Sequence, residues 1–327
     1  MIITRTPFRV SFVGGGSDLP SFYTRHAGCV VSVAINRYIY ISVHRFFQGN
    51  QYHLKYSQVE LANSLEEVRH PIVREAARLL GIPSGIELTS TADVPAGTGL
   101  GSSSSFTVGV LNSFYAFKGC FATKERLASE ACAIEIDKLK EPIGKQDQYA
   151  AAFGGLNFIR FHEDDRVTVE PIILDRDRLE HLQSNLMMFY LGGTRSSGSI
   201  LKEQNGNMCQ ADKFQLVVRM TELAEHLRSR LWEKKYDEFG TVLDQAWQLK
   251  RSIASGISNG GIDSLYDRAM KAGALGGKLL GAGGNGFMLL YCPREKQPAV
   301  RGALAELRPF PFRFDMEGSR VIYVGGE

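Results

Sequence analysis

The 327-residue chain has five cysteines, at 29, 120, 132, 209 and 292, and no C-x-x-C pair. That excludes a redox dithiol motif and a zinc site built on paired cysteines. An odd, scattered set fits a reducing compartment, so each thiol is expected buried and unpaired, and the protein cytoplasmic. Charge of one sign is scarce: 38 Lys and Arg stand against 35 Asp and Glu, a net of +3. No basic run occurs, which argues against a nucleic-acid partner. The longest uncharged stretch, Val94 to Phe117, is rich in Gly and Ser, and Arg5 and Arg9 interrupt any apolar start. Neither a membrane span nor a signal peptide is expected. The G-x-x-x-x-G-K-[ST] loop and the H-R-D and D-F-G triplets are also missing, so a nucleotide, if bound, is held by another loop design.

What is present is concentrated in a few stretches. Pro95 to Ser105, PAGTGLGSSSS, puts three glycines and four serines ahead of an apolar segment, Phe106 to Phe117. This order predicts a glycine-rich loop feeding a helix N-terminus. Unpaired N–H groups and the positive end of the helix dipole suit phosphate there. The serines could cap that helix, and a hydroxyl beside a phosphate is a plausible Mg²⁺ ligand. By composition alone, such a cluster is also what an ordinary loop looks like.

Length and 44% apolar content suggest two domains or one large α/β domain. Strands are predicted at Ile2–Val13, Ile86–Ala92, Gly155–Phe161, Leu186–Leu191 and Arg313–Val324, with a strand pair across Val30–Val43. Helices are predicted at Leu19–His26, His70–Leu80, Lys124–Leu139 and 146–152. Three more follow in the second half, along Leu216–Leu231, along Phe239, Val242, Leu243, Ala246 and Trp247, and over Ile262–Ala272. Trp232 and Trp247 read as core. A polar turn at Asp164–Asp165 is the candidate junction between domains 1–165 and 166–327.

Three polar clusters, at 9–18, 95–104 and 135–147, and a glycine-rich one at 281–286, together resemble the signature set of the GHMP kinases. PAGTGLGSSSS is similar to that family's phosphate loop, and TPFRVSFVGGGSDLPSFY (6–23) to the first motif of its sugar-kinase branch. GKQDQYAAAFGG (144–155) is similar to the segment with the catalytic aspartate, and LGAGGNGF (280–287) to the third, glycine-rich motif. GGGSDLP with EPIGKQDQ resembles the heptose 7-phosphate kinases most, with looser likeness to L-fucokinase and galactokinase. The resemblance implies an α+β, two-domain fold: an N-terminal α/β domain, a C-terminal ferredoxin-like domain, and the site between them. It also implies transfer of the ATP γ-phosphoryl to a sugar hydroxyl, with the anomeric hydroxyl of D-glycero-D-manno-heptose 7-phosphate as the expected acceptor.

The resemblance carries roles onto particular residues. Asp147 is the expected base, accepting or orienting the sugar hydroxyl proton; without the resemblance it reads as a helix N-terminal Asp. Arg9 partners Asp147 or stabilises charge on the moving phosphoryl group. ATP phosphates are expected on Pro95, Gly97, Gly99, Leu100, Gly101, Ser102, Ser103 and Ser104. Mg²⁺ is expected on Ser103 and Glu135, with Ser102, Ser104 and Ser105 open as alternatives to the serine and Glu130 and Asp137 to the carboxylate. The family's loop often has Ala after the serines, where this chain has Ser104–Ser105.

Substrate contacts are expected from Gly15, Gly16, Ser17, Asp18, Lys145, Arg195, Gly283 and Gly284. Without the resemblance Asp18 reads as an Asx-turn or helix cap. A dinucleotide reading of GGGSDL fails, because Leu19 stands where the sixth glycine would be. No basic pocket for a substrate phosphate is visible; Arg37, Arg45 and Lys55 are scattered. A non-catalytic sugar and ATP sensor and a free-sugar kinase are the competing functions. Homodimerisation is left open by the sequence.

Overall fold

The computed structural model describes residues 1–193, 198–233 and 235–326. Its strands are β1 (Ile2–Val13), β2 (Gly28–Arg45), β3 (Tyr52–Lys55), β4 (Val59–Ala62), β5 (Ile86–Ala92), β6 (Leu156–Phe161), β7 (Val167–Pro171), β8 (Leu186–Gly192), β9 (Gly276–Leu279), β10 (Gly286–Tyr291), β11 (Arg308–Pro309) and β12 (Arg320–Val324). The first-half helices are α1 (Pro20–Tyr23), α2 (Pro71–Leu80), α3 (Ser102–Phe117), α4 (Lys124–Cys132) and α5 (Gln146–Phe153). The rest are α6 (Arg176–Ser184), α7 (Gly198–Asn207), α8 (Ala211–Trp232), α9 (Phe239–Arg251), α10 (Gly260–Lys271) and α11 (Gln297–Ala303).

An eight-stranded sheet runs in the order β12-β1-β2-β5-β3-β4, with β6 and β7 attached through β2. The strand pair predicted over 30–43 is one strand, β2, of 18 residues. Its length is used twice along one edge: residues 28–33 pair with β6 and residues 39–45 with β5. A register shift between Pro7 and Phe8 lets β1 pass its proline without breaking. The second sheet is antiparallel, in the order β11-β8-β10-β9, and α9 packs on it.

The polar turn at 164–165 is a hairpin tip, not a linker. His162 and Arg166 close it by a backbone hydrogen bond, Asp165 takes φ 71°, and β7 returns to pair with β6. The chain therefore leaves the first sheet after Pro171, and β12 comes back to flank β1. Of the predicted strand 313–324 only Arg320–Val324 is extended; the rest bends, with one bridge from Phe314 to Ile35.

One core spans both halves: Phe12 of β1 meets Phe239 of α9 edge-on at 5.0 Å, and α8 packs against β1, β2 and α9. Trp247 is buried as predicted, whereas Trp232 is 70% exposed at the end of α8, where the stripe has run out. Burial of every thiol is also corrected. Cys29, Cys132 and Cys292 are buried, but Cys120 and Cys209 are exposed, on loops beyond the ends of α3 and α7. Among the described residues no helix is long and apolar enough to cross a membrane.

Candidate active site

Helix α3 begins at Ser102, and its N-cap is Gly101 in the left-handed region, φ 77°. A serine would be strained there; glycine is not. No side chain caps the helix, so the serines do not do what their position first suggested, and its first N–H groups are not satisfied by a cap. The loop before it lines a cavity of about 890 Å³ that also receives Arg9, Asp18, Asp147 and the loop 280–285. Pro95, Gly97, Gly99, Gly101, Ser102, Ser103 and Ser104 face this cavity. Leu100 does not: its side chain is buried, and its carbonyl accepts the Arg9 backbone N–H at 3.1 Å.

The loop 280–286 lies directly on this cradle. A Cβ on Gly99 would stand 2.5 Å from the Leu280 carbonyl oxygen, and one on Gly286 2.3 Å from that of Thr98. The glycines of both loops are needed because backbone meets backbone. Gly283 lines the cavity, but Gly284 is tied away from it, its N–H donating to Ile257 O at 3.0 Å.

The serines divide by partner. Ser105 Oγ donates to Pro7 O at 2.9 Å and is fully buried, so it is structural. Ser103 Oγ donates to Glu135 Oε1 at 2.6 Å, and Ser104 also bonds that carboxylate. Helix α4 widens into a π-helical turn, Ala133–Lys138, a distortion that re-aims side chains and recurs at functional sites. It carries Glu135 to full burial while Asp137, two residues on, faces solvent. Glu130 is held by Tyr115 and Arg126. Glu135 is thus the carboxylate of the three that reaches the cradle.

Glu135 has neutral partners: Ser103, Ser104 and Gln148, whose Nε2 donates at 2.8 Å. Burial pushes its pKa up to about 7, against the lowering effect of those hydrogen bonds. A hydroxyl and a buried carboxylate side by side, both hard oxygen donors, fit a Mg²⁺ ion that takes its remaining ligands from phosphates and water.

Arg9 and Asp147 form a bidentate pair. Nε donates to Oδ1 at 2.7 Å and Nη2 to Oδ2 at 2.6 Å, while Nη1 reaches Gly99 O at 2.7 Å. Arg9 is on β1 and Asp147 in the first turn of α5, so two elements 138 residues apart present one planar unit at the cradle's edge. A bidentate guanidinium fixes both position and rotation of a carboxylate. Asp147 stays 23% exposed, and its oxygens have acceptor positions beyond those Arg9 occupies.

Asp18 is both cap and lining. Its Oδ1 accepts from the Gly16 N–H at 2.9 Å and Gln146 Nε2 at 3.1 Å, and its Oδ2 from the Gln146 N–H at 3.2 Å, the first turn of α5. Burial, then the charge of Asp147, raises its pKa. Gly15 and Gly16 line the cavity. Ser17 is corrected to a structural role: it is fully buried, and its Oγ donates to the carbonyls of Gly14 and Cys29. Lys145 is also redirected. Its Nζ pairs with Asp165 Oδ1 at 2.6 Å, above the Tyr23 ring and outside the cavity lining. Arg195 lies outside the described residues.

Sequence reasoning missed Ser11, Gln146, Gln204, Lys250 and Lys278, all in the cavity wall. A signal existed for one of them. Lys250 continues the buried stripe Leu243, Ala246, Trp247 of α9, where a charged residue has no place unless it serves a site. The opposite end of the cavity is more apolar: Tyr56, His70, Ile72, Val94, Pro95 and Phe106 line it, and His70 stacks on Phe106 with centroids 4.8 Å apart. Burial lowers the His70 pKa, against the raising effect of the Glu60 charge.

Residues 60–155 match the GHMP kinases N terminal domain and residues 223–308 the GHMP kinases C terminal domain. The chain is 27% identical over 333 residues to the D-glycero-alpha-D-manno-heptose 7-phosphate kinase of Campylobacter jejuni, covering 97% of each. It is also 27% identical over 331 residues to the bifunctional fucokinase/GDP-fucose pyrophosphorylase of Arabidopsis thaliana, covering 93% of this chain but 31% of that protein. The crystal structure of a D-glycero-D-manno-heptose 1-phosphate kinase from Bacteroides thetaiotaomicron superposes with a TM-score of 0.82 at 23% identity, over 100% of both chains. The chain belongs to the GHMP kinases, has their two-domain fold, and is a phosphotransferase with an alcohol group as acceptor.

Proposed function

We propose that this GHMP kinase transfers the γ-phosphoryl group of ATP to the anomeric hydroxyl of a heptose 7-phosphate. The Arg9–Asp147 pair carries the reading: a buried guanidinium locks a cavity-facing carboxylate at the mouth of a glycine-rich helix N-terminus. Phosphoryl transfer asks mainly for alignment and charge stabilisation, and these elements supply both. The cradle 97–104 receives the triphosphate on backbone N–H groups and the α3 dipole. The aromatic wall of Tyr56, His70 and Phe106 receives the base. Asp147 accepts the proton as the hydroxyl oxygen attacks the γ-phosphorus and the bond to the ADP oxygen breaks. Arg9 holds the carboxylate in line and faces the charge that develops. Ser103 and Glu135 would hold Mg²⁺, which supplies charge neutralisation between the phosphates. The acceptor assignment leans on the Campylobacter relative's name. An ATP-consuming enzyme with five unpaired cysteines suits the cytoplasm.

The test is an ADP-release assay across D-glycero-D-manno-heptose 7-phosphate, the free heptose, L-fucose, galactose and mannose, with ³¹P NMR locating the new ester. The heptose 7-phosphate is expected to give the highest kcat/KM and a C1 phosphate. Highest turnover of fucose or galactose would replace this reading with a free-sugar kinase. ATP and sugar binding without turnover would favour a sensor.

A further inference from the structure

The acceptor end of the cavity is built unlike the rest of it. Two lysines come from distant elements: Lys250 from α9 and Lys278 from β9. Each is about nine-tenths buried, at 8% exposure. Lys250 Nζ donates to Gln204 Oε1 at 3.0 Å and to Gly15 O at 3.3 Å. Lys278 Nζ donates to Ser11 O at 2.8 Å and Phe12 O at 3.1 Å. An ammonium has three N–H donors, so each lysine keeps one. Neither is matched in an ion pair among the described residues. Their bonds go to carbonyl oxygens, and the nearby carboxylates are already engaged, Asp147 by Arg9 and Asp18 by Gly16 and Gln146.

Three further polar atoms in this wall are buried with no hydrogen-bond partner: Ser11 Oγ, Gln146 Oε1 and Gln204 Nε2. Buried polar groups of native proteins are nearly always satisfied, and Gln204 is wholly buried. The glycines at 15 and 16 let the backbone pack directly against this group. A Cβ on Gly16 would stand 2.0 Å from Gln204 Nε2 and 3.5 Å from Lys250 Nζ; one on Gly15 would be 3.7 Å from Ser11 Oγ. Any side chain at 16 would collide with the Gln204 amide.

We propose that Lys250 and Lys278, with the Gln204 amide, receive a phosphate group carried by the acceptor itself, so that the site selects a phosphorylated sugar over its free parent. The inference deepens the acceptor assignment above and rests on the kinase reading of the cavity. Arg9, Lys250 and Lys278 line the cavity together with Asp18, Asp147 and Glu141, and the two lysines are the cations of this set whose hydrogen bonds go to carbonyl oxygens and not to a carboxylate. Lys250 differs from the Arg9–Asp147 pair in what it touches, while Lys278 stands between them, close enough to feel the charges of both Arg9 and Lys250. Arg9 abuts Gly99 and the nucleotide cradle, whereas Lys250 and Gln204 abut Gly15 and Gly16. A sugar bound across Asp18 and Ser11 would then present its hydroxyl to Asp147 and its phosphate to the lysines. Ser11 and Gln146 are left for ring hydroxyls, as donor and acceptor. Burial depresses both lysines, Lys250 to about 8 and Lys278 to about 7, the latter also through the charges of Lys250 and Arg9; an incoming dianion reverses that depression.

Isothermal titration of the full chain, without ATP, separates this inference from the kinase reading. The ligands are heptose 7-phosphate and mannose 6-phosphate, each against its unphosphorylated parent. The wild type is expected to prefer at least one phosphorylated sugar by about tenfold or more, the scale of a charged hydrogen bond. Lys250→Gln and Lys278→Gln should each cut that preference severalfold, and Lys250→Arg should retain most of it. Gln204→Leu, which leaves both charges in place, should weaken it less; it serves if a lysine variant fails to fold, as judged by circular dichroism and Tm. Equal affinity for phosphorylated and free sugars, no binding of either, or a preference that survives both lysine variants would overturn the inference. A lysine-dependent preference for mannose 6-phosphate alone would uphold it while removing the heptose assignment.

Discussion

On the proposed reading, the two ends of the cavity solve the same problem, holding an anion, by opposite means. The nucleotide end uses one contiguous loop, Pro95–Ser104, whose N–H groups, left-handed glycines and helix dipole are all backbone properties. The acceptor end uses side chains gathered from β1, α7, α9 and β9, with two buried lysines and polar atoms that have no hydrogen-bond partner among the described residues. Backbone recognition is general, since every triphosphate offers the same oxygens. Side-chain recognition is particular, since it depends on where each charge stands. The difference is what a family with one donor and many acceptors requires.

Removing the group between the two ends should have the largest effect. Asp147→Asn is expected to lower kcat by about 10²–10⁴-fold while ATP binding, measured by isothermal titration, stays within a few-fold. Near-normal turnover would leave Asp147 as only the partner of Arg9. Next in size is the backbone contact at the nucleotide end. Gly99→Ala puts a Cβ where Leu280 O already is, at a φ of 87°. A cost of about 1–3 kcal/mol and a rise in KM for ATP exceeding that for the acceptor are expected; an equal rise in both would blur the division between the ends.

Metal dependence should report on Glu135. Its raised pKa, about 7, means that below pH 7 a proton competes with the cation. The Mg²⁺ concentration for half-maximal turnover should therefore climb as pH falls from 8 to 6, by up to about tenfold per unit below the pKa. Ser103→Ala should raise it throughout that pH range, and Ser105→Ala, whose hydroxyl faces Pro7 O, should act through Tm instead. A flat Mg²⁺ requirement from pH 6 to 8 would remove Glu135 from the metal site. The smallest effect is expected from Lys145→Met. Its partner Asp165 is 69% exposed, and a pair open to solvent contributes about 0–1 kcal/mol. Tm should fall slightly and KM for the acceptor should not move; a large KM change would return Lys145 to the substrate.

What could be read along the chain follows the same division. The loop 95–105, the strand before it and the stripe Ile72, Val73, Ala76, Ala77, Leu80 of α2 were legible because each is a local pattern of period or composition. Asp147, Arg9, Asp18 and Glu135 were legible as motif members, though not their partners. The turn at Asp164–Asp165 misled because a hairpin tip and a linker have the same polar composition. Lys145 and Ser17 misled because a side chain next to a functional residue points wherever its own rotamer and neighbours allow.

The sequence by itself determined the glycine-rich loop, the helix it feeds and the carboxylate at the start of α5, since these depend on glycine's access to left-handed backbone and on residues close along the chain. Only the tertiary structure decided which serines meet Glu135, Ser103 and Ser104, through a π-helical turn that no periodicity announces. It alone brought Lys250 to Gly15 and Lys278 to Ser11, each more than 230 residues away along the chain. A site of that kind is a product of packing two sheets on a shared core, and the contacts that define it do not exist until the core has closed.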